Sequence, residues 1–513
     1  MMRSKLVHIL PLLLLLASCG EKERTGTAST HPAIRVELEE ASAFWASFSV
    51  QTLACTSLRY GLSEDMPMRI DMTSDLLDKA RIQLSDLLPV TSYTFYIQGI
   101  GRDGEEESVV EVAFKTIESP DGLYPWESAR SALPSFADMT LVTMGWHNSN
   151  PPKWTRERFA SHVQYKDREG HSYWLFDSFL CIDGIDPVRG RILCISAGSR
   201  PSGVKASWEG LLEAWTGDNG ALKELDAAVE EAAASLGAPR TPRYVVMGIP
   251  DPIRYELFKD PASSTTYWGE LDGVRMDFSK VKDQVAACKW YMNLCRERFY
   301  ACKFKHLELA GFYILSEELP LDPAFYQAAG QSYDGADTWN WRQKNWELIV
   351  PQLSSYAHSC MEGLWWIPYH LAPGYKVWKQ LGFDNVFMQP NYYWDHDAVS
   401  HPLSLTKKAL KDYKMGMELE FEFSLVADVM KDGRSGPDGT GNPTFDAGDV
   451  PLLRSRLREY MQAYKDAGLY GKLPIAVYSG TDAMHQLATS PDAGDKDMYR
   501  DLCEFIIGSP LRQ

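Results

Sequence analysis

Several chemistries have no signature in this 513-residue sequence. It contains no Cys-x-x-Cys pair and no Cys/His cluster with zinc-ligand spacing, so dithiol redox and structural zinc motifs are absent. It contains no Gly-x-Ser-x-Gly elbow, which argues against a serine esterase. No glycine-rich phosphate loop follows an apolar run, which argues against a nucleotide-binding doubly wound sheet. Neither a cofactor nor a metal is expected. Positive charge is scarce: 52 Lys and Arg stand against 69 Asp and Glu, a net charge of −17. Nucleic acid is therefore a poor partner, because binding it depends on phosphate neutralisation by Lys and Arg. What is plentiful is aromatic surface: 16 Trp, 25 Tyr and 20 Phe, or 12% of the chain. Such rings fill large cores, and they also form the faces on which sugar rings stack.

The first twenty residues address the compartment. Arg3 and Lys5 precede a mainly apolar run, Leu6 to Ala17, which is too short to span a bilayer and fits a signal h-region. The run ends in Leu16-Ala17-Ser18-Cys19-Gly20, which resembles a bacterial lipobox. That resemblance implies lipidation at Cys19, a signal peptide over 1–18, a polar tether over 19–32 and a place in the cell envelope. The alternative is an ordinary signal peptide cut near Ser18. No later segment reads as a membrane span. Cys288, Cys295 and Cys302 recur every seven residues in a helical stretch, which predicts one packed face.

Residues 33–118 carry short alternating runs separated by turn residues: Ile34 to Leu38, Phe44 to Val50, Ser57 to Leu62, Ala80 to Leu84, Tyr93 to Gly99 and Val109 to Thr116. This pattern predicts a small β-sandwich. The segment Leu87-Leu88-Pro89-Val90-Thr91-Ser92-Tyr93-Thr94-Phe95 resembles the fibronectin type III signature. The resemblance implies a tyrosine corner at Tyr93 and an inter-sheet aromatic at Trp45.

Beyond the linker Glu118 to Gly122, apolar runs alternate with amphipathic helical stretches over 123–511. The runs are Thr140 to Trp146, Tyr173 to Ile182, Tyr244 to Ile249, Leu307 to Leu315, Gly363 to Tyr369, Asn385 to Gln389, Gly416 to Phe423 and Ile475 to Tyr478. The helical stretches include Trp208 to Leu236, Val281 to Tyr300, Trp341 to Met361, Leu403 to Lys414 and Val450 to Ala467. Eight strand–helix units predict an α/β fold, a parallel (β/α)8 barrel.

The active site of such a barrel lies at the C-terminal ends of its strands. The residues predicted there are polar and aromatic: Trp146, His147, Asp177, Asp251, Trp365, Trp366, Tyr369, His370, Gln389, Asn391, Tyr392, Tyr393, Trp394 and Tyr478. The seventh run, Met417-Glu418-Leu419-Glu420-Phe421-Glu422-Phe423, has period two. It therefore places Glu418, Glu420 and Glu422 on one side and the apolar residues on the other. Burying carboxyls without partners is costly, so an acidic face turned into a barrel signals chemistry; the alternative is an edge strand with a solvated acidic face. Glu418 is the deepest and could be structural.

Glycoside hydrolysis needs two carboxyl groups, one a proton donor and the other a nucleophile or base. Glu317 or Glu318 after the fourth run and Glu420 or Glu422 at the seventh supply them. The arrangement resembles the clan of retaining barrel glycosidases, in which an Asn-Glu pair follows strand four and the nucleophile ends strand seven. The resemblance implies Glu317 as acid/base and Glu420 as nucleophile. Ser316 stands where that clan has Asn, so the choice between Glu317 and Glu318 stays open, as does retention against inversion. The segments Gly311 to Glu318, Leu381 to Tyr393 and Glu418 to Phe421 also resemble an uncharacterised family of Bacteroidetes lipoproteins, which implies polysaccharide utilisation and a poly- or oligosaccharide substrate. Two rivals remain: a glycan-binding lipoprotein on a degenerate barrel, and a metal-dependent hydrolase on the same fold. The turn-rich loop Lys431 to Pro443 lacks EF-hand spacing and reads as a rim loop.

Overall fold

The computed structural model describes residues 34–117 and 134–512, less the segments 42–45, 53–54, 67, 72–78, 85–86, 88–89, 102–103, 145–152, 196–199, 258–262, 334–344, 361, 395–399, 432–444 and 481–482. Cys19, Trp45, Trp146, His147, most of the rim loop and the segment expected to be the linker lie outside the described residues.

The N-terminal part folds as two small antiparallel sheets. One pairs Arg35–Ala41, Ala46–Gln51 and Lys79–Leu84. The other orders Met68–Asp71, Cys55–Gly61, Ser92–Gly101 and Val110–Lys115. Six of these seven strands coincide with alternating runs in the sequence. The seventh, Met68–Asp71, is too short to show a period. Phe48 and Phe95 stack between the sheets with centroids 4.2 Å apart, and Phe114 meets Phe48 edge-on at 5.4 Å. Tyr93 is half-buried with its ring stacked on Phe114.

Eight parallel strands then close a barrel: Asp138–Thr143, Ser178–Ile182, Arg243–Ile249, Leu307–Ile314, Gly363–Trp366, Asn385–Met388, Gly416–Glu420 and Ile475–Tyr478, the last pairing back with the first. Side chains alternate across this wall. Met139, Leu141, Leu180, Val246, Phe387 and Ala476 fill the interior. Their strand neighbours pack outward against helices. The helix Val450–Asp466 shows how the outer layer attaches. Leu453, Leu457, Tyr460, Met461 and Tyr464 recur at helical spacing and are all buried. Full burial of each such residue contributes about 1.5–3 kcal/mol.

Glycine is required where the fourth and fifth strands meet. Gly311 has φ 147°, and a Cβ there would lie 2.2 Å from the carbonyl oxygen of Gly363. The register against the third strand shifts nearby, between Val245 and Val246. The helical stretch expected over Trp208 to Leu236 is two helices, Lys205–Thr216 and Ala221–Leu236. Gly217 and Gly220 form the break, where an added Cβ would meet the backbone of Glu213 and Trp215 at 2.5 Å. Cys288 and Cys295 are buried on Val281–Ala301, Cys302 caps that helix at intermediate burial, and all three are free thiols.

At the N-terminal mouth of the barrel, Asp177 receives Arg243 Nη1 at 3.0 Å and Arg512 Nη2 at 3.3 Å. Arg512 also pairs with Asp138 and donates to the carbonyl of Leu175 at 2.6 Å. The last turn of the chain is thereby tied to the starts of the first three strands. This corrects the expectation that Asp177 lies in the functional mouth. The run Tyr173 to Ile182 is not one strand: Ser172–Trp174 pairs in a side hairpin, and the barrel strand begins only at Ser178. Asp177 therefore sits before its strand, at the end opposite the cavity.

Candidate active site

A cavity of about 560 Å³ opens among the C-terminal strand ends. Its wall is built by the alternation of the strands. Tyr313, Leu315 and Glu317 follow one another at every second position of the fourth strand and its extension, Gln389 and Asn391 follow the sixth, Glu418 and Glu420 lie on the seventh, and Tyr478 ends the eighth. Glu318, Tyr369 and Trp394 complete the rim, with Leu141 and Ile182 as the apolar side.

Glu420 is the best-supported carboxyl. The Tyr460 hydroxyl donates to its Oε1 at 2.9 Å. The Trp394 side chain and the Asn391 backbone N–H donate to it as well. Asn391 has φ 55°, a left-handed conformation that Asn tolerates better than most residues. Burial pushes Glu420 up to about 7; the three donors pull the other way, and the Glu317 charge raises it further.

Glu317 accepts from Gln389 Nε2 at 3.3 Å, and burial raises its pKa above the ordinary carboxyl value. Glu418 is 2% exposed, and its Oε1 has no hydrogen-bond partner. Burial first, then the charges of Glu420 and Glu317, push its pKa well above the usual range. The three acids thus share one low-dielectric space in unequal settings: one held by three donors, one by a side-chain amide, and one with a bare oxygen. Such a set can hold one carboxylate and one carboxylic acid at neutral pH.

Other expected site residues fall elsewhere. Trp366 turns outward, stacks on Phe383 at 5.4 Å and donates its indole N–H to Ser316 O at 2.6 Å. Trp365 points into the barrel but packs on Phe136 at 5.3 Å, below the cavity. Neighbouring residues on a strand face opposite sides, so only one of the two points inward. Asp251 is buried behind the wall, accepting from Ile195 N and Ser316 Oγ at 2.9 Å each, and burial pushes it up to about 7. Ser316 therefore supports Asp251, not the cavity. Glu422 starts a short 3-10 turn and receives Ser424 Oγ at 3.2 Å. Tyr393 is buried, with its hydroxyl 2.9 Å from Ser424 Oγ, and Tyr392 donates to Glu459. His370 packs on His401 with ring centroids 5.2 Å apart, and burial lowers it to about 4. None of Asp251, Glu422, His370, Tyr392, Tyr393, Trp365 and Trp366 lines the cavity.

Sequence reading did not single out Tyr460, Tyr313 or Asp183. Tyr460 looks like any apolar-face residue of its helix. Asp183, which follows the second strand, takes the Met144 N–H at 3.1 Å and the Thr143 hydroxyl at 3.2 Å, and burial pushes it up to about 8. Among the described residues, no group of three or more His, Cys, Asp or Glu is placed to hold a metal ion. No described helix is long and apolar enough to cross a membrane.

The architecture defines a closed parallel β/α barrel with a carboxyl-lined cavity at its C-terminal mouth. Residues 138–434 match the family described as "Domain of unknown function (DUF4855)", and the chain belongs to that family. No curated protein matches the chain. Among solved structures it is similar to a Bacteroides ovatus GH5 xyloglucanase in complex with a XXXG heptasaccharide (11% identity, 91% of this chain and 99% of that chain covered, TM-score 0.33). It is also similar to a calcium-binding mutant of Bacteroides uniformis beta-glucuronidase 2 (8%, 87% and 45%, TM-score 0.30). A third likeness is to the fibronectin type-III domain of human fibronectin type III domain containing protein 3 (15%, 19% and 96%, TM-score 0.14).

Proposed function

We propose that this chain is a glycoside hydrolase of the cell envelope. The observation that carries the reading is the pair Glu317 and Glu420, held in different hydrogen-bonding environments within one cavity beside the rings of Tyr369, Trp394 and Tyr478. Glu317 gives its proton to the glycosidic oxygen as the bond from the anomeric carbon to that oxygen breaks. A carboxylate oxygen of Glu420 attacks the anomeric carbon. Water, losing a proton to Glu317, then displaces Glu420 and frees the sugar. Gln389 and Asn391 offer amides to sugar hydroxyls. The lipobox-like Cys19 supports a lipid anchor, and the two N-terminal sheets support a fibronectin-like spacer between anchor and barrel. The test is a screen of the purified protein against plant, microbial and host glycans, reading released reducing ends and their anomeric configuration. Release of sugar with retained configuration is expected; release with inversion overturns the nucleophilic role of Glu420.

A further inference from the structure

We infer that the cavity takes an uncharged sugar unit, and that Glu418 at its floor hydrogen-bonds a hydroxyl of that unit. The inference rests on the glycosidase reading and adds its substrate class.

The first observation is the balance of charge. Glu317, Glu318, Glu418 and Glu420 line the cavity, and no Lys, Arg or His lines it among the described residues. A sugar acid brought into this space would place its carboxylate against the Glu420 carboxylate and its neighbouring acids, with no cation among the described lining residues to receive it. Like charges in a site of low dielectric repel strongly, and this is how a site rejects a ligand of nearly the right shape.

The second observation is Glu418 itself. It shares the inward face of the seventh strand with Glu420, two residues on, and is deeper. It is 2% exposed, lines the cavity, and keeps Oε1 without a hydrogen-bond partner. A buried polar oxygen without a partner is unfavourable in the unliganded fold. The strand could carry an aliphatic residue there, as it does at Met417 and Leu419 on its other face. A neutral carboxyl offers one donor and one acceptor, which suits a sugar hydroxyl, itself both. Tyr313 and Tyr478 line the same cavity.

The experiment uses matched ligands and the full-length wild-type protein. Galacto-oligosaccharides are compared with oligogalacturonides, and gluco- with glucurono-oligosaccharides. Binding is read by isothermal titration calorimetry, and hydrolysis by released reducing ends. The neutral member of at least one pair is expected to bind at least about 100-fold more tightly than its acidic counterpart. Glu418→Leu is expected to weaken that neutral ligand by at least about tenfold while melting no earlier than wild type, because it removes a buried oxygen that lacks a partner. Glu418→Gln, which keeps donor and acceptor, should stay within about threefold in affinity. Acidic ligands bound within tenfold of the neutral ones overturn the inference, as does wild-type affinity in Glu418→Leu. Binding with this selectivity but without hydrolysis overturns the glycosidase reading and leaves the inference standing. Absence of binding by any glycan overturns both.

Discussion

The Tyr460 hydroxyl, carried by a helix outside the barrel, donates to Oε1 of Glu420 at 2.9 Å. The same hydroxyl accepts the backbone N–H of Tyr393 at 2.5 Å. One phenol therefore fixes both the carboxyl that ends the seventh strand and the loop that follows the sixth. Arg456, one helical turn earlier, donates to the Tyr393 carbonyl at 2.9 Å and holds that loop from the same side.

Removing this phenol should shift the acid limb of activity. Burial raises Glu420 to about 7, and the Tyr460 bond opposes the rise. In the proposed mechanism Glu420 is ionised when it attacks, so activity is expected to climb as pH rises through that value. Without the donor the carboxylate is less favoured, and the limb moves to higher pH. Tyr460→Phe should lower kcat/KM about tenfold at pH 6 and much less at pH 8, since a hydrogen bond to a charged group is worth about 1.5–3 kcal/mol. A full pH profile of kcat/KM checks this.

The two neighbouring glutamates after the fourth strand should separate cleanly. Glu317 faces inward and meets Gln389, and burial raises its pKa, as a proton donor requires. Glu317→Gln should reduce kcat by about 10²- to 10⁴-fold, the usual range for loss of a general acid. Glu318→Gln should change it by less than about tenfold. Substrates with a good leaving group should narrow the gap for Glu317→Gln alone.

Asp177 should behave as a structural residue. Its loss leaves Arg243, 3% exposed, without its closest anion, and breaking one side of a buried pair typically costs about 3–5 kcal/mol. Arg512 is a second cation on the same carboxylate. Asp177→Asn should therefore lower the melting temperature clearly, while kcat per folded molecule stays at the wild-type value. Thermal denaturation beside active-site titration measures both.

Asp183 should give the fold a pH-dependent weakness. Burial raises it to about 8, whereas an unfolded Asp titrates near 3.8. Between these values the folded state binds the extra proton, so stability falls as pH rises from about 4 towards 8. Above the folded value the loss is complete, of order a few kcal/mol. Asp183→Asn removes this titration, and its melting temperature should decline less than that of wild type between pH 5 and pH 8.

The parts of this arrangement that could be read from sequence are those written in short-range periods. Glu418 and Glu420 announce themselves because polar and apolar residues alternate over seven positions, and only one face of a barrel strand meets the interior. Seven of the eight apolar runs locate their strands to within a few residues, the run Tyr173 to Ile182 being the exception. Asp177 reads as part of a strand because only Leu175, Phe176 and Asp177 separate the side hairpin from the barrel strand. Trp365 and Trp366 both read as strand-end aromatics, yet strand geometry sends one inward below the cavity and the other into the helix layer. Tyr460 was invisible because its helix shows a plain apolar face, and only the three-dimensional contact marks one of those residues as a carboxyl partner. Asp183 gave no pattern at all, since its partners, Thr143 and Met144, lie on the neighbouring strand and just beyond it.

Glu317 and Glu420 are proposed to cleave a glycosidic bond together. The most direct test is the rate of sugar release by wild type, Glu317→Gln and Glu420→Gln on the best glycan from the screen, with binding followed in parallel. Release by wild type is expected, with a loss of at least about 1,000-fold in Glu420→Gln and about 100-fold in Glu317→Gln, and retained binding in both. Wild-type protein that binds the glycan and never cleaves it, or variants that cleave as fast as wild type, would contradict that proposal.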